Sequence, residues 1–279
     1  WKYYEYRKSK LTNYFQKISE WNGESIIDKS IVVYNEQGLG DSIQFSKYLI
    51  PLSKVAKQVT FVVQNNIKNL FKNSKNINIE NYQTCENHKF DFKISLGSLI
   101  KYFYKDKINF DEKLIELKKN QKIDIENKID ISKKNIGIVW SGSFLGPNEP
   151  YRSIPLKNFR KILNLNANFY ALQNEIWERD IDEFQSSNFI DCSNYKLDEL
   201  SHIISKLDLV ITCDTSILHL AASLNVETWG ILCLYPDWRW GKFNKFNPYP
   251  KLKFFNQKKF NNWDFINYEI FEILKSKLN

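Results

Sequence analysis

The sequence contains no methionine, so the residue that starts translation is missing. The chain is expected to be a fragment or trimmed product, beginning inside something longer at Trp1. No apolar run approaches the ~20 residues that span a bilayer, which excludes a membrane-spanning helix, and no secretory signal is visible. The four cysteines, Cys85, Cys192, Cys213 and Cys233, lack CxxC-type spacing, which excludes a metal site built on paired thiols. Cys213 and Cys233 fall in expected buried strands, as small core residues of a reducing compartment. A complete GxGxxG is also missing. Gly38 and Gly40 are present, but Ile43 or Gln44 stands where the third glycine falls, against a dinucleotide-dependent dehydrogenase. No nucleic-acid recognition motif occurs and the lysines are dispersed, so no nucleic-acid partner is expected.

What is present is the composition of a globular chain. Of 279 residues, 43% are hydrophobic and 15% aromatic, enough for one large domain or two ordinary ones. The net charge of +8 reads as a lysine-rich solvated surface. Its alternative is affinity for phosphates, nucleic acid or an anionic membrane face.

Strands and helices alternate twice. Residues 1–24 mix aromatics with charges and read as a helical linker ending in a turn at Asn22-Gly23. The first alternation occupies 25–130. Ile31–Tyr34 is a β-branched strand. Gly38 and Gly40 permit a tight turn and close approach of backbone to a ligand. Ile43, Phe45, Tyr48, Leu49 and Leu52 then follow helical spacing. Asp41, at that junction, can cap the helix or act as a general base at the carboxyl edge of a sheet; the two roles are compatible. Val59–Val63, Ile77–Ile79 and Phe90–Leu96 are further strands, and the charged stretch Lys118–Lys134 marks a boundary. The second alternation occupies 131–279. Strand Ile136–Trp140 leads into Ser141-Gly142-Ser143 and a loop through Gly146, Pro147 and Pro150. Arg152, a helix over Leu156–Leu163 and strand Phe169–Leu172, ending at Gln173, come next. An amphipathic helix over Phe265–Leu278 closes the chain. Such alternation argues for parallel sheets and the α/β class.

The most informative stretch is Leu209–Leu224. Leu209–Cys213 is apolar, as in a strand buried on both faces, and Ile217, Leu220, Ala221 and Leu224 follow helical spacing. Asp214, Thr215 and Ser216 between them are helix N-cap types. A buried strand ending at a helix N-terminus offers backbone N–H groups and a positive dipole end, which suits a phosphate. His219 falls one turn into that helix, on the side of Asp214–Thr215. Ligands of open α/β sheets bind beyond the strand carboxyl ends, where Asp41, Arg152 and Asp214–His219 all fall.

Several pieces, taken in order, form a recognisable set: Glu36-Gln37-Gly38-Leu39-Gly40-Asp41-Ser42, Gly137-Ile138-Val139-Trp140-Ser141-Gly142, Arg152-Ser153-Ile154-Pro155-Leu156, Asp208–Thr215 with His219-Leu220-Ala221, and Pro236-Asp237-Trp238-Arg239-Trp240. The set resembles the C-terminal domain of bacterial tetratricopeptide-repeat glycosyltransferases, themselves similar to the glycosyltransferase 9 family of lipopolysaccharide heptosyltransferases. The likeness covers residues 21–264. Tyr4-Glu5-Tyr6-Arg7 resembles the segment joining repeats to enzyme, and an upstream repeat array would fit the absent initiator.

The resemblance implies a GT-B fold, with two Rossmann-like βαβ domains facing across a cleft. It implies inverting transfer of a sugar from a nucleotide-sugar donor, without metal or other cofactor. Asp41 matches the proposed base. Asp214, Thr215 and His219 match the donor-holding motif, Ser216 stands where glycine is common, and Gly40 and Ser141 are counted with the donor-binding residues. Arg152 is the nearest match to a basic residue that contacts phosphates. Gln173 or Glu175 stands nearest to a glutamate that contacts the donor ribose, which leaves the nucleotide open. Gln44, Trp238 and Arg239 are counted as cleft-lining; the alternative for Trp238–Trp240 is a structural loop.

The expectation is therefore a cytoplasmic glycosyltransferase with at most peripheral contact to the inner face of a membrane. Its acceptor would be a glycan, lipid-linked or protein hydroxyl. Arg152 and the helix N-terminus at Thr215 would stabilise the leaving diphosphate, and Asp41 would take the acceptor proton. The alternative is a catalytically degenerate GT-B-like binding module, against which Asp41, Arg152, Asp214 and His219 together count.

Overall fold

A computed structural model describes residues 4–10, 15–85, 88–103, 129, 132–143, 149–240 and 249–278. The expected loop through Gly146 and Pro147 and the expected boundary at 130/131 lie outside these residues. The chain divides into two compact units, Trp1–Leu117 and Lys118–Asn279.

Among the described residues the first unit is built on five strands: β1 (Ser19–Glu20), β2 (Ser30–Tyr34), β3 (Gln58–Val62), β4 (Ile77–Glu80) and β5 (Phe92–Ser95). All pairs are parallel, in the order β1-β5-β2-β3-β4. Ile31, Val32, Val33, Val59, Phe61 and Val62 are fully buried, as continuous β-branched and aromatic runs of strands covered on both faces should be. The helices Leu39–Phe45 and Leu49–Val55 carry the chain from β2 to β3. From β2 the order proceeds one way to β3 and β4, and the other way to β5 and β1. The crevice between the carboxyl ends of β2 and β5 is therefore the topological switch point, where open α/β sheets bind ligands.

The helix expected over residues 1–24 is a correction. Tyr4–Lys10 is a short 3₁₀ helix, and Ser19–Glu20 extends the sheet beside β5. The aromatics that suggested helical periodicity serve as anchors instead. Trp21 is buried, stacks near Tyr102 and Phe103, and donates its indole N–H to the Glu24 carbonyl at 2.8 Å.

The described residues of the second unit form six strands: β6 (Asn135–Val139), β7 (Asn168–Ala171), β8 (Phe189–Asp191), β9 (Leu209–Cys213), β10 (Glu227–Leu232) and β11 (Leu252–Asn256). They too are all parallel, in the order β11-β10-β9-β6-β7-β8. Here the switch point lies between β6 and β9. Gly137 in β6 permits close packing beneath it: a Cβ there would lie 2.5 Å from Leu172 Cδ1 and 2.8 Å from Leu207 Cδ1. Strand β11 has no counterpart in the sequence reading, because Lys253 interrupts its apolar run. Cys213 is buried in β9, as expected, but Cys233 lies just past the end of β10 and is half-buried. The helix Asp264–Leu278 packs on the Leu156–Leu163 segment. That segment divides into a 3₁₀ turn and a single α-helical turn behind Pro155.

Candidate active site

Polar residues gather at the switch point of the second unit. Beyond β9, Thr215 is the extended N-cap of the helix Ser216–Ser223 and makes no side-chain cap bond. Its hydroxyl lies 3.2 Å from that of Thr212. The N–H groups of Ser216 and Ile217 belong to the first turn, which finds no partner within the helix. Beyond β6, the Ser141 hydroxyl is buried without a hydrogen-bond partner among the described residues. Arg152 joins the same point by donating from Nη1 to the Asp214 carbonyl at 2.9 Å. An orphan buried hydroxyl, first-turn N–H groups and a guanidinium are the donors that a bound anion needs.

Three expected donor-binding side chains are committed elsewhere. Gln173 accepts the N–H groups of Trp140 and Ser141 at 3.2 and 3.0 Å, and donates to the Ser141 and Glu175 carbonyls at 3.0 Å each. It clamps the Ser141 turn with both amide atoms. The Asp214 carboxylate is buried and accepts the Trp240 indole N–H at 2.9 Å. Burial pushes its carboxyl above the usual range, opposed by Arg239, the Trp240 bond and Arg152. His219 is 1% exposed, stacks on Trp240 at 5.1 Å and 13°, and meets the Tyr249 hydroxyl through Nδ1 at 3.0 Å. Tyr249, His219, Trp240 and Asp214 thus form one buried row beneath the β9 turn. The stacked geometry places Asp214 and His219 where they shape that turn. Trp240 follows the structural alternative, since it is fully buried, whereas Trp238 is half exposed. Arg239 is tied to Asp237 at 2.9 Å.

In the first unit, Asp41 is the third residue of the helix Leu39–Phe45, whose N-cap is Gly38. It caps by reaching back: its carboxylate accepts the Gly38 N–H at 3.1 Å, the second half of a capping box. The tight glycine turn is a correction. Gly38 has φ −69°, open to any residue, and a Cβ there would meet Asp41 Oδ2 at an ordinary 3.4 Å. Gly40 lies in the first turn, half-buried. Gln44, expected to line a cleft, is 1% exposed, and neither amide atom has a partner among the described residues. Its helix neighbours Ser42, Ile43 and Phe45 are buried as well, so this turn of the helix is enclosed all round.

Residues outside the expected set complete this edge. Glu36, beyond β2, accepts from Arg7 Nη2 at 2.6 Å and from the Gly97 N–H at 3.2 Å. Its signal in the sequence was its place beside the Gly38–Asp41 motif. Tyr249, which meets His219 in the second unit, carried none. Among the described residues no group of three or more His, Cys, Asp or Glu side chains is placed to hold a metal ion, and no helix is long and apolar enough to cross a membrane.

Residues 112–240 match the model of glycosyltransferase family 9 (heptosyltransferase). No curated protein matches the chain. Among solved structures, a family 9 glycosyl transferase from Veillonella parvula DSM 2008 is similar with a TM-score of 0.62 at 14% identity, over 91% of this chain and 90% of that one. The E. coli ADP-heptose lipopolysaccharide heptosyltransferase II gives 0.62 at 12% identity, over 89% and 98%. An E. coli heptosyltransferase solved with ADP-2-deoxy-2-fluoro heptose gives 0.55 at 7% identity, over 89% and 99%. At these identities the likeness speaks to fold. Residues 112–240 are accordingly similar to glycosyltransferase family 9 (heptosyltransferase), and the chain's two Rossmann-like domains have the GT-B-like fold of the heptosyltransferase structures.

Proposed function

We propose that the chain transfers a sugar from a nucleotide-sugar donor to a hydroxyl of a glycan or protein acceptor, without a metal ion. The observation that carries this reading is the switch point of the second sheet. There the orphan Ser141 hydroxyl and the first-turn N–H groups after Thr215 follow the neighbouring strands β6 and β9, and Arg152 bonds the Asp214 carbonyl. These donors suit a diphosphate, and they oppose the charge that grows on it as the bond to the anomeric carbon breaks. Asp41 is assigned the acceptor proton: its carboxylate takes the hydrogen as the hydroxyl oxygen bonds to the anomeric carbon. Inversion follows from a single displacement. The solved heptosyltransferases are handled with ADP sugars, so ADP-heptose is the first donor to try. An upstream repeat array and an acceptor at the inner membrane face remain part of the proposal.

The test is binding and turnover together. ADP is expected to raise the unfolding midpoint by mass action on the folded state, equally with and without EDTA. Asp41→Ala should keep that ADP shift and lose transfer. Transfer by Asp41→Ala at the wild-type rate would remove the base assignment. ADP binding without transfer from any nucleotide sugar would favour the degenerate binding module.

A further inference from the structure

The two switch points are filled differently. In the second unit the crevice presents donors to a ligand. In the first unit it is occupied by the chain itself. Arg7, from the 3₁₀ helix Tyr4–Lys10, inserts its guanidinium between the ends of β2 and β5. Nε and Nη2 donate to Glu36 Oε1 at 3.1 and 2.6 Å, and Nη2 also reaches the hydroxyls of Ser95 and Ser98 at 2.9 and 3.0 Å. Nη1 donates to Glu5 at 2.9 Å and to the Tyr4 carbonyl at 3.1 Å, and the guanidinium carbon lies 3.9 Å from the centre of the Tyr4 ring. Gly97 leaves room for this packing, since a Cβ there would come within 2.9 Å of both Arg7 Nη2 and Glu36 Oε1 and one of them would have to shift.

Glu36 is three-way anchored, with 3% of its side chain exposed. It sits two residues before Gly38, whose N–H holds Asp41. Asp41 is also near enough for its charge to act on Glu36. A buried carboxylate beside Asp41 is tolerable only while a cation neutralises it. We infer that Arg7 is a positioning residue for the reaction: it seats Glu36 and, through the Glu36–Gly38 turn, sets the place and electrostatic surroundings of Asp41. The inference rests on the transferase reading, in which Asp41 acts as the base. It makes the segment before the first sheet an integral part of the reaction-bearing edge.

The experiment compares wild type, Arg7→Met, Arg7→Lys and the double variant Arg7→Met/Glu36→Gln. Three quantities are read on each: ADP affinity, kcat at saturating ADP-heptose, and amide hydrogen exchange in residues 35–45 and 95–98. In Arg7→Met, exchange in both segments should rise and kcat should fall by about 100-fold, the scale of an ångström-level misplacement of a reacting group. ADP affinity should stay unchanged. Arg7→Lys should fall between that variant and wild type. Glu36→Gln in the Arg7→Met background should recover at least about 10-fold of kcat, because the more deeply buried of Arg7's two carboxylate partners then carries no charge. Unchanged exchange or unchanged kcat in Arg7→Met overturns the inference, and so does a double variant no better than the single one. If Arg7→Met fails to fold, the Arg7→Lys measurements decide by the same criteria. If wild type itself neither binds ADP nor turns over a nucleotide sugar, the transferase reading fails; the exchange data then decide the Arg7 contact alone.

Discussion

At the scale of single residues, the cost of burial decides what a charge can do. Lys47, beside the Tyr48 ring in the 3₁₀ turn Ser46–Tyr48, shows it cleanly. Burial pushes its ammonium down from 10.5 to about 8. Between those values the unfolded chain holds the proton and the folded chain releases it. Stability from this group therefore rises with pH across that window, and its full cost is present below about pH 8. Lys47→Met is expected to be more stable than wild type near pH 7, by at most roughly 3 kcal/mol. The gap should narrow as pH rises from about 8 toward 10. Urea midpoints of both proteins through that range check this, and a gap that is constant or widens removes the burial argument. Asp214 and Glu36 pose the opposite problem, acids raised by burial and held down by nearby cations. Each stays tolerable through a named partner, Trp240 with Arg152 and Arg239 in one case and Arg7 in the other.

At the scale of elements, the turn from β9 into the helix Ser216–Ser223 is the piece the proposed donor site depends on. It is supported from below by the row Tyr249, His219, Trp240 and Asp214. The apolar cluster of Leu218, Ala222, Leu232, Trp240, Tyr249 and Leu252 fixes the helix against β10 and β11. Trp240→Phe keeps most of the ring packing but removes the indole donor to the buried Asp214 carboxylate. A loss of about 1–3 kcal/mol in unfolding free energy is expected, together with weaker ADP binding. Asp214→Asn, which keeps an acceptor for the indole and drops the buried charge, should lose less stability. Denaturant midpoints and ADP titrations of the two variants test the arrangement. Equal stability of Trp240→Phe and wild type would mean the row does not carry the turn.

At the scale of the molecule, two parallel sheets each place their switch point at the carboxyl ends of their strands. The first is closed by Arg7 and Glu36, and the second is lined by the Ser141 hydroxyl, the first-turn N–H groups after Thr215 and Arg152. Bound ADP is expected to slow amide exchange in residues 136–142 and 209–220 and to leave 31–34 and 58–62 unchanged. Protection appearing in the first sheet instead would move the nucleotide to the other unit.

Much of this was legible in the order of residues. Runs such as Ile31–Tyr34 and Leu209–Cys213 could only be buried strands, and the alternation with helical spacing imposed a parallel α/β class. The motifs around Asp41, Ser141, Arg152 and Asp214 marked the strand ends at which a ligand would sit, because sheet periodicity alone locates those ends. Side-chain commitments were not legible. Gln173, His219 and Gln44 are polar types in suggestive places, yet packing buries all three, and no local pattern reveals what fills the space around a side chain. The same holds for Arg7 and Glu36, which lie 29 residues apart in sequence and meet where the 3₁₀ helix Tyr4–Lys10 packs at the ends of β2 and β5, two strands that are themselves paired. Pairing across a sheet is a long-range outcome of burying both faces at once. The sequence by itself thus determined the elements and the strand ends where polar residues gather, while only the tertiary structure decided which of those polar groups are buried and spent holding the turns, because burial depends on what the whole fold packs around each side chain.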